Sequence, residues 1–227
     1  ARSFLSNLGN PPPYLELPEL IARSDLIIEA AGSTIVPTLA SGCFAAGKNL
    51  MVISVGALLE HPNIVKQARQ SGNHLFIPSG AIAGLDGIKS ACRGQINHVT
   101  MISRKPPDAL EGAPYLLDHD IPLTDFKGEK LLFDGSARDA CKGFPANINV
   151  SAAVSLAGIG PDLTRVKILA VTGLSRNCHD IEVDGEFGIL KIHVENVPSE
   201  NPKTGRLTSL SIMRSIEDSI DMFHIGT

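Results

Sequence analysis

Three short apolar runs in this chain each end at a glycine. They are Asp25-Leu26-Ile27-Ile28-Glu29-Ala30-Ala31-Gly32, Met51-Val52-Ile53-Ser54-Val55-Gly56-Ala57 and Leu75-Phe76-Ile77-Pro78-Ser79-Gly80-Ala81. A small residue at a strand end lets a flat ligand lie close against the backbone. Gly32, Gly56 and Gly80 are therefore candidate binding positions. Proton transfer needs another kind of group. Among seven histidines, His179 has the most suggestive position, since it follows Arg176-Asn177 and precedes a strand. That places it at an element end facing a cleft. An imidazole, with an intrinsic pKa of about 6.5, can take and return a proton near neutral pH. A histidine chosen blind is more often a surface or packing residue, and at this point both readings stand. His193 lies inside an alternating strand and reads as a face residue, while His61, His74, His98, His119 and His224 have nothing to recommend them.

Other chemistries find no support. There is no P-loop, no H-E-x-x-H and no nucleophile elbow, and no metal site is expected. Gly158-Ile159-Gly160 is a false lead to a dinucleotide fingerprint, because Pro161 and Asp162 follow where a third glycine should open a helix. Cys43, Cys92, Cys141 and Cys178 are scattered without a C-x-x-C pair, and a chain of 227 residues has core enough without staples. They read as reduced thiols of a cytoplasmic protein. A net charge of −4 lacks the basic footprint of a nucleic-acid binder, and tryptophan is absent. No apolar run reaches the length of a membrane span.

The elements that must hold these residues follow from punctuation and periodicity. Helix-like stretches separate the three glycine-ended strands, giving β-α-β-α-β and hence parallel strands with their carboxyl ends on one edge, where small ligands bind. Ser33 or Thr34 can cap a helix to about Ala46 with Gly47 as terminator, and His61 to Gln70 forms another closed by Ser71-Gly72. Leu85 to Arg93 reads as a helix. His98 to Ser103 reads as a strand broken by Arg104-Lys105-Pro106-Pro107, and 108–129 as a long loop. Lys130 to Asp134 is strand-like, Ser136 to Lys142 helical, Asn147 to Leu156 an apolar helix and Val166 to Val171 a strand. Ile181 to Glu195 alternates most clearly, with the turn between Asp184 and Gly188, so antiparallel strands with one wet face are predicted. Leu207 to Ser219 is an amphipathic helix with Leu210, Met213 and Ile216 on one side.

An ordered series of short motifs now becomes informative. Ser54-Val55-Gly56-Ala57, Ser79-Gly80-Ala81-Ile82, Arg104-Lys105-Pro106, Phe133-Asp134-Gly135-Ser136-Ala137-Arg138, Asn147-Ile148-Asn149-Val150, Ser155-Leu156-Ala157-Gly158, Asn177-Cys178-His179 and Asn201-Pro202-Lys203-Thr204 together resemble the L-aspartate dehydrogenases. These are NAD(P)-dependent enzymes linked to NAD biosynthesis through iminoaspartate. The resemblance implies a Rossmann-type parallel-sheet domain plus an α+β catalytic and dimerisation domain. It implies NAD or NADP as cofactor, L-aspartate as substrate and a homodimer formed through the open sheet face. Hydride leaves the substrate Cα, water attacks the imine, and the matching histidine, His179, is the acid/base that serves water and departing ammonia. Ala81 and Asn149 match the family's NAD contacts. Asn147 can instead cap the apolar helix, and motif register ranks Asn149 above it. A dicarboxylate substrate calls for cations, and the candidates are Arg104, Lys105, Arg138 and Lys203. The planar fork of arginine favours Arg138 or Arg104.

The expected division is a partial dinucleotide-binding domain at 1–80, an α+β substrate domain at 81–200, and a closing helix at 201–227 returning to the first domain. The family opens with a strand and glycine-rich turn, which this reading expects upstream of Ala1. Alternatives are a homoserine-dehydrogenase-like or dihydrodipicolinate-reductase-like enzyme, or a non-catalytic relative.

Overall fold

The structure is a computed structural model that describes residues 2–145, 148–197, 199 and 205–226. Its first part runs α1 (Arg2–Leu5), α2 (Leu17–Arg23), β1 (Leu26–Glu29), α3 (Val36–Ala45), β2 (Asn49–Val52), α4 (Ala57–Glu60), α5 (Asn63–Ser71) and β3 (Leu75–Phe76). The three strands pair in chain order and all are parallel. Helix α3 buries Val36, Leu39, Ala40 and Cys43, the i, i+3, i+4, i+7 stripe of a helix laid on a sheet. A short 3-10 turn at Ser33–Ile35 precedes it, and neither start carries a side-chain cap. Gly47 and Gly72 follow α3 and α5 as expected.

The second part contains α6 (Leu85–Ala91), β4 (Ile96–Lys105), α7 (Pro114–Asp118), β5 (Glu129–Ser136), α8 (Ala137–Gly143), α9 (Asn149–Ala157), β6 (Arg165–Val171), β7 (Asn177–Gly185), β8 (Gly188–Asn196) and α10 (Arg206–Asp218). Its sheet has the order β5-β6-β4-β7-β8 and is mixed, with β4 parallel to β6 and every other pair antiparallel. Ser136 caps α8 by accepting from the Asp139 N–H at 3.1 Å. Apolar side chains of both parts form a continuous buried core from Ile21 to Val183. Gly56 sits where they meet. A Cβ there would lie 2.9 Å from Ile148 Cγ2 and 3.1 Å from Cys141 Sγ, so only glycine allows this approach.

Four details differ from the sequence reading. Strand β4 continues through Arg104 and Lys105, because β7 pairs with it as far as Arg104 and β6 as far as Lys105, before Pro106 withdraws the donor. The stretch 108–129 holds a 3-10 turn at Pro107–Leu110 and helix α7. His179 lies inside β7 rather than before it. Helix α10 has no buried residue, and Leu210 and Met213 remain 55% and 52% exposed.

Candidate active site

Strand parity builds one wall of the site. Side chains alternate across a sheet, and on β4 the inward set Val99, Met101, Ser103 and Lys105 is buried while Arg104 faces the other side. Ser103 stands opposite His179 in the antiparallel register. The Ser103 hydroxyl lies 3.0 Å from His179 Nδ1, and both residues are buried. That contact fixes the ring and leaves Nε2 as the nitrogen for other partners. Lys105 lies one inward step further along β4, with Asn177 and Asn196 buried nearby on β7 and β8.

Burial shapes the electrostatics. Removal from water lowers the His179 pKa from 6.5 to about 3, the Lys105 ammonium adds to the effect, and Asp180 partly offsets it. Lys105 itself is lowered to about 8, again by burial. Both groups therefore prefer their neutral forms more than they would in water.

The facing wall comes from the carboxyl end of the parallel sheet. A cleft of about 110 Å³, open to solvent, brings Gly80, Ala81 and Asn149 together with Lys105, Asn177 and His179. The Asn196 amide donates to the Ala81 carbonyl at 2.6 Å, tying the two walls. Asn149 opens α9, and its Oδ1 accepts from the Gly56 N–H at 3.1 Å. The same residue also borders a neighbouring cavity with Gly32, Ser54 and Gly56, so it bridges the two spaces. Glu29, at the end of β1, organises that second cavity. Its buried carboxylate accepts from the backbone N–H groups of Ala31 (2.8 Å), Gly32 (2.8 Å) and Ser54 (2.9 Å), and from the Ser54 hydroxyl (3.1 Å).

A flat dinucleotide fits these surfaces. Gly32 and Gly80 hold φ of +113° and +65°, a region L side chains rarely adopt, and the space where a Cβ would stand is open at both. The Asn149 Nδ2 group adds donors suited to a carboxamide or ribose.

Not every candidate converges. Arg104 lies on the opposite sheet face, where its guanidinium binds Glu129 (2.9 Å) and Asp180. Arg138 forks onto Asp162 at 2.5 and 2.9 Å and donates to the Leu59 carbonyl at 2.9 Å. Both arginines are committed to structural pairs away from the cleft. Lys203 and Asn147 fall outside the described residues. His193 is a face residue as expected, bonded to Asp180 and Glu195 with its pKa raised by them. Ser103, Asn177, Asn196 and Glu29 were not singled out from sequence. For Ser103 the signal was available, since parity from Val99 and Met101 points it inward.

A parallel-stranded unit, closed by a mixed sheet that presents a buried histidine to the strand ends, is an arrangement that suits a dinucleotide-dependent enzyme. Comparison with known proteins narrows this. The model "Aspartate dehydrogenase, C-terminal" matches residues 86–219 and "Homoserine dehydrogenase, NAD binding domain" matches residues 1–78. L-aspartate dehydrogenase 3 of Bordetella bronchiseptica is 42% identical over 224 residues, 99% of this chain and 82% of the relative. L-aspartate dehydrogenase of Methanosarcina mazei is 44% identical over 220 residues, 95% of this chain and 81% of the relative. The crystal structure of aspartate dehydrogenase from Thermotoga maritima superposes with a TM-score of 0.75 at 25% identity, covering 90% of this chain and 80% of that one. This chain belongs to the aspartate dehydrogenase family. A hyperthermophilic archaeal homoserine dehydrogenase in complex with NADPH shares the fold, with a TM-score of 0.58 at 9% identity over 98% of this chain and 80% of that one.

Proposed function

We propose that this protein oxidises L-aspartate to iminoaspartate, and thence to oxaloacetate and ammonia, using NAD or NADP. The observation that carries the reading is His179, a buried imidazole held by Ser103 in the same cleft as Gly80, Ala81 and Asn149. The nicotinamide ring, when bound, accepts the hydride from the substrate Cα. The protein's own residues do the rest. Gly32 and Gly80 leave the backbone approachable, while Gly56, expected beside them, instead lets Ile148 and Cys141 pack close; Ala81 and Asn149 contact the cofactor, and the cleft holds the substrate beside the imidazole. His179 Nε2 takes a proton from the water that adds to the imine carbon. It returns a proton to the nitrogen as the C–N bond breaks and ammonia leaves.

The test is aspartate-dependent formation of reduced cofactor. His179→Ala should lower kcat by roughly 10²- to 10⁴-fold while cofactor affinity changes little. Unchanged turnover would remove the assignment, and a wild-type protein inert toward aspartate would remove the reaction.

The family-model boundaries, 1–78 and 86–219, support a division of the chain near residue 80. Thr208 of α10 reaches the cleft beside Gly80, which supports a closing segment that returns to the first unit. The outer face of the second sheet exposes Leu131 and Ile189 and supports a homodimer, testable by light scattering. No described helix is long and apolar enough to cross a membrane. The four cysteines are unpaired thiols, which supports a cytoplasmic setting.

A further inference from the structure

We propose that Ser103 is a positioning residue for proton transfer, its hydroxyl accepting from His179 Nδ1–H and so holding the neutral ring with its Nε2 lone pair toward the cleft. The inference rests on the acid/base reading of His179 and deepens it. Strand register isolates the pair. The cross-strand row that holds Ser103 runs Phe133, Ile168, Ser103, His179, Val194 from β5 to β8. Within that row the hydroxyl and the imidazole are the two side chains able to hydrogen-bond, and they stand 3.0 Å apart. Val99 and Met101, which precede Ser103 on its face of β4, are buried and apolar, as are Ile181 and Val183 beyond His179 on β7. A hydroxyl set among such neighbours costs free energy unless it is bonded. Ser103 and His179 are 2% and 3% exposed, so water has little access to take the place of either.

The direction of this bond decides what the ring can do. A neutral imidazole carries one proton, and the bond made at one nitrogen sets which nitrogen holds it. A hydroxyl can donate or accept. Were Ser103 to donate to Nδ1, Nε2 would carry the proton, and the ring would meet an attacking water as a donor. With Ser103 accepting, Nε2 gains a proton from the water that adds to the imine and loses it to the departing nitrogen. The Ser103 oxygen accepts from the same Nδ1–H in both states, so the bond never reverses during turnover. The neutrality of the partner has a second effect. A carboxylate at this place would hold the imidazolium strongly. A hydroxyl fixes the tautomer without adding charge, and the proton taken from water is readily given back.

The experiment uses the full chain with cofactor and isotope-labelled histidine, and His179→Asn identifies the ring signals. Nitrogen NMR is recorded at about pH 8, where the ring is neutral because burial lowers its pKa to about 3. Wild type should show a protonated Nδ1 and a bare Nε2. In Ser103→Ala the Nε2–H tautomer should appear. Its kcat should fall roughly 5- to 100-fold, the cost of leaving a buried N–H without its acceptor. Aspartate KM and cofactor affinity should stay within about twofold, because the lost contact acts on proton transfer and not on binding. Ser103→Thr keeps the hydroxyl on a side chain that suits a strand, and should restore the wild-type tautomer and most of the turnover. A residue that merely filled space would leave the tautomer where it was. Three results would overturn the proposal: a wild-type ring protonated at Nε2, a Ser103→Ala kcat within about twofold of wild type, or a threonine variant with the wild-type tautomer and alanine-like turnover. The tautomer is read without aspartate. A protein inert toward aspartate would therefore sink the functional reading, while the ring signals still decide the bond's direction.

Discussion

Glu29 gives the sharpest quantitative test of how the cofactor edge is built. Its carboxylate is the acceptor in four hydrogen bonds that pin the turn after β1 to the loop after β2, and it is only 2% exposed. In Glu29→Gln one oxygen becomes an NH2 group that cannot accept. The less costly orientation keeps the amide oxygen where it meets Ala31, Gly32 and the Ser54 hydroxyl, and turns NH2 toward the Ser54 N–H. One backbone donor is then orphaned, at about 1–3 kcal/mol, and three charge-assisted bonds become neutral ones, each weaker by about 0.5–1 kcal/mol. Removing a buried charge offsets part of this loss. The net expectation is roughly 2–3 kcal/mol of destabilisation, or a Tm lower by about 5–10 °C in a chain of this size. Urea unfolding with an unchanged m-value, supported by a thermal scan, measures it. Because Gly32 and Ser54 border the second cavity, cofactor KM should also rise while aspartate KM moves less. A Glu29→Gln protein within about 0.5 kcal/mol of wild type would refute the view that this carboxylate organises the edge.

Other outcomes follow from individual contacts. His179 titrates near 6.5 when unfolded and at about 3 when folded. Between those values the unfolded chain binds more protons, so stability present above pH 6.5 is lost as pH falls toward 3. Replacing it with asparagine should flatten that limb, and parallel urea midpoints for the two proteins from pH 7 to 4 would contradict the burial argument. Asn196→Ala deletes the amide that donates to Ala81 at 2.6 Å. It should destabilise by about 1–2 kcal/mol and raise cofactor KM, an effect that equal cofactor titrations would disprove. Burial pushes the Cys141 thiol up to about 11, and its Sγ lies 3.5 Å from the Gly56 carbonyl. Alkylation at pH 8 should be slow until denaturant is added, and rapid labelling of native protein at this position would show that the packing is looser than described.

Much of the fold was legible because local signals agreed with one another. Each of β1, β2 and β3 is short and apolar, each ends near a glycine, and helices with one buried stripe separate them. Such a run leaves few arrangements other than parallel strands with a shared carboxyl edge. The β7–β8 hairpin was legible from alternation, although two nearby glycines hid its turn, which the structure places at Glu186-Phe187. Less readable was 108–129, where prolines at 114 and 122 suggested loop, yet Pro114 starts α7 from a position where a missing N–H costs nothing.

The site was half legible, and the division has a physical origin. His179, Ala81, Asn149 and Gly80 meet in one cleft, as a family likeness leads one to expect. Arg104 was favoured over Lys105 because residue chemistry was weighed ahead of parity. An arginine fork binds a carboxylate better than an ammonium does in the abstract, and Arg104 precedes Lys105 in the chain. Yet Val99 and Met101 are the buried apolar positions of β4, and a period of two carries their face through Ser103 to Lys105 and excludes Arg104, which shares the face of the less buried Ile102. Proline at 106 obscured this by suggesting that the strand had already ended. A proline forbids only the hydrogen bond at its own nitrogen, so two more residues could pair before it. What no alternation could supply is the cross-strand register that sets Ser103 against His179, because it depends on how β7 docks on β4 from more than seventy residues away. Parity decides which side chains can face the cleft. Register then decides which of them touch, and only the folded chain fixes it.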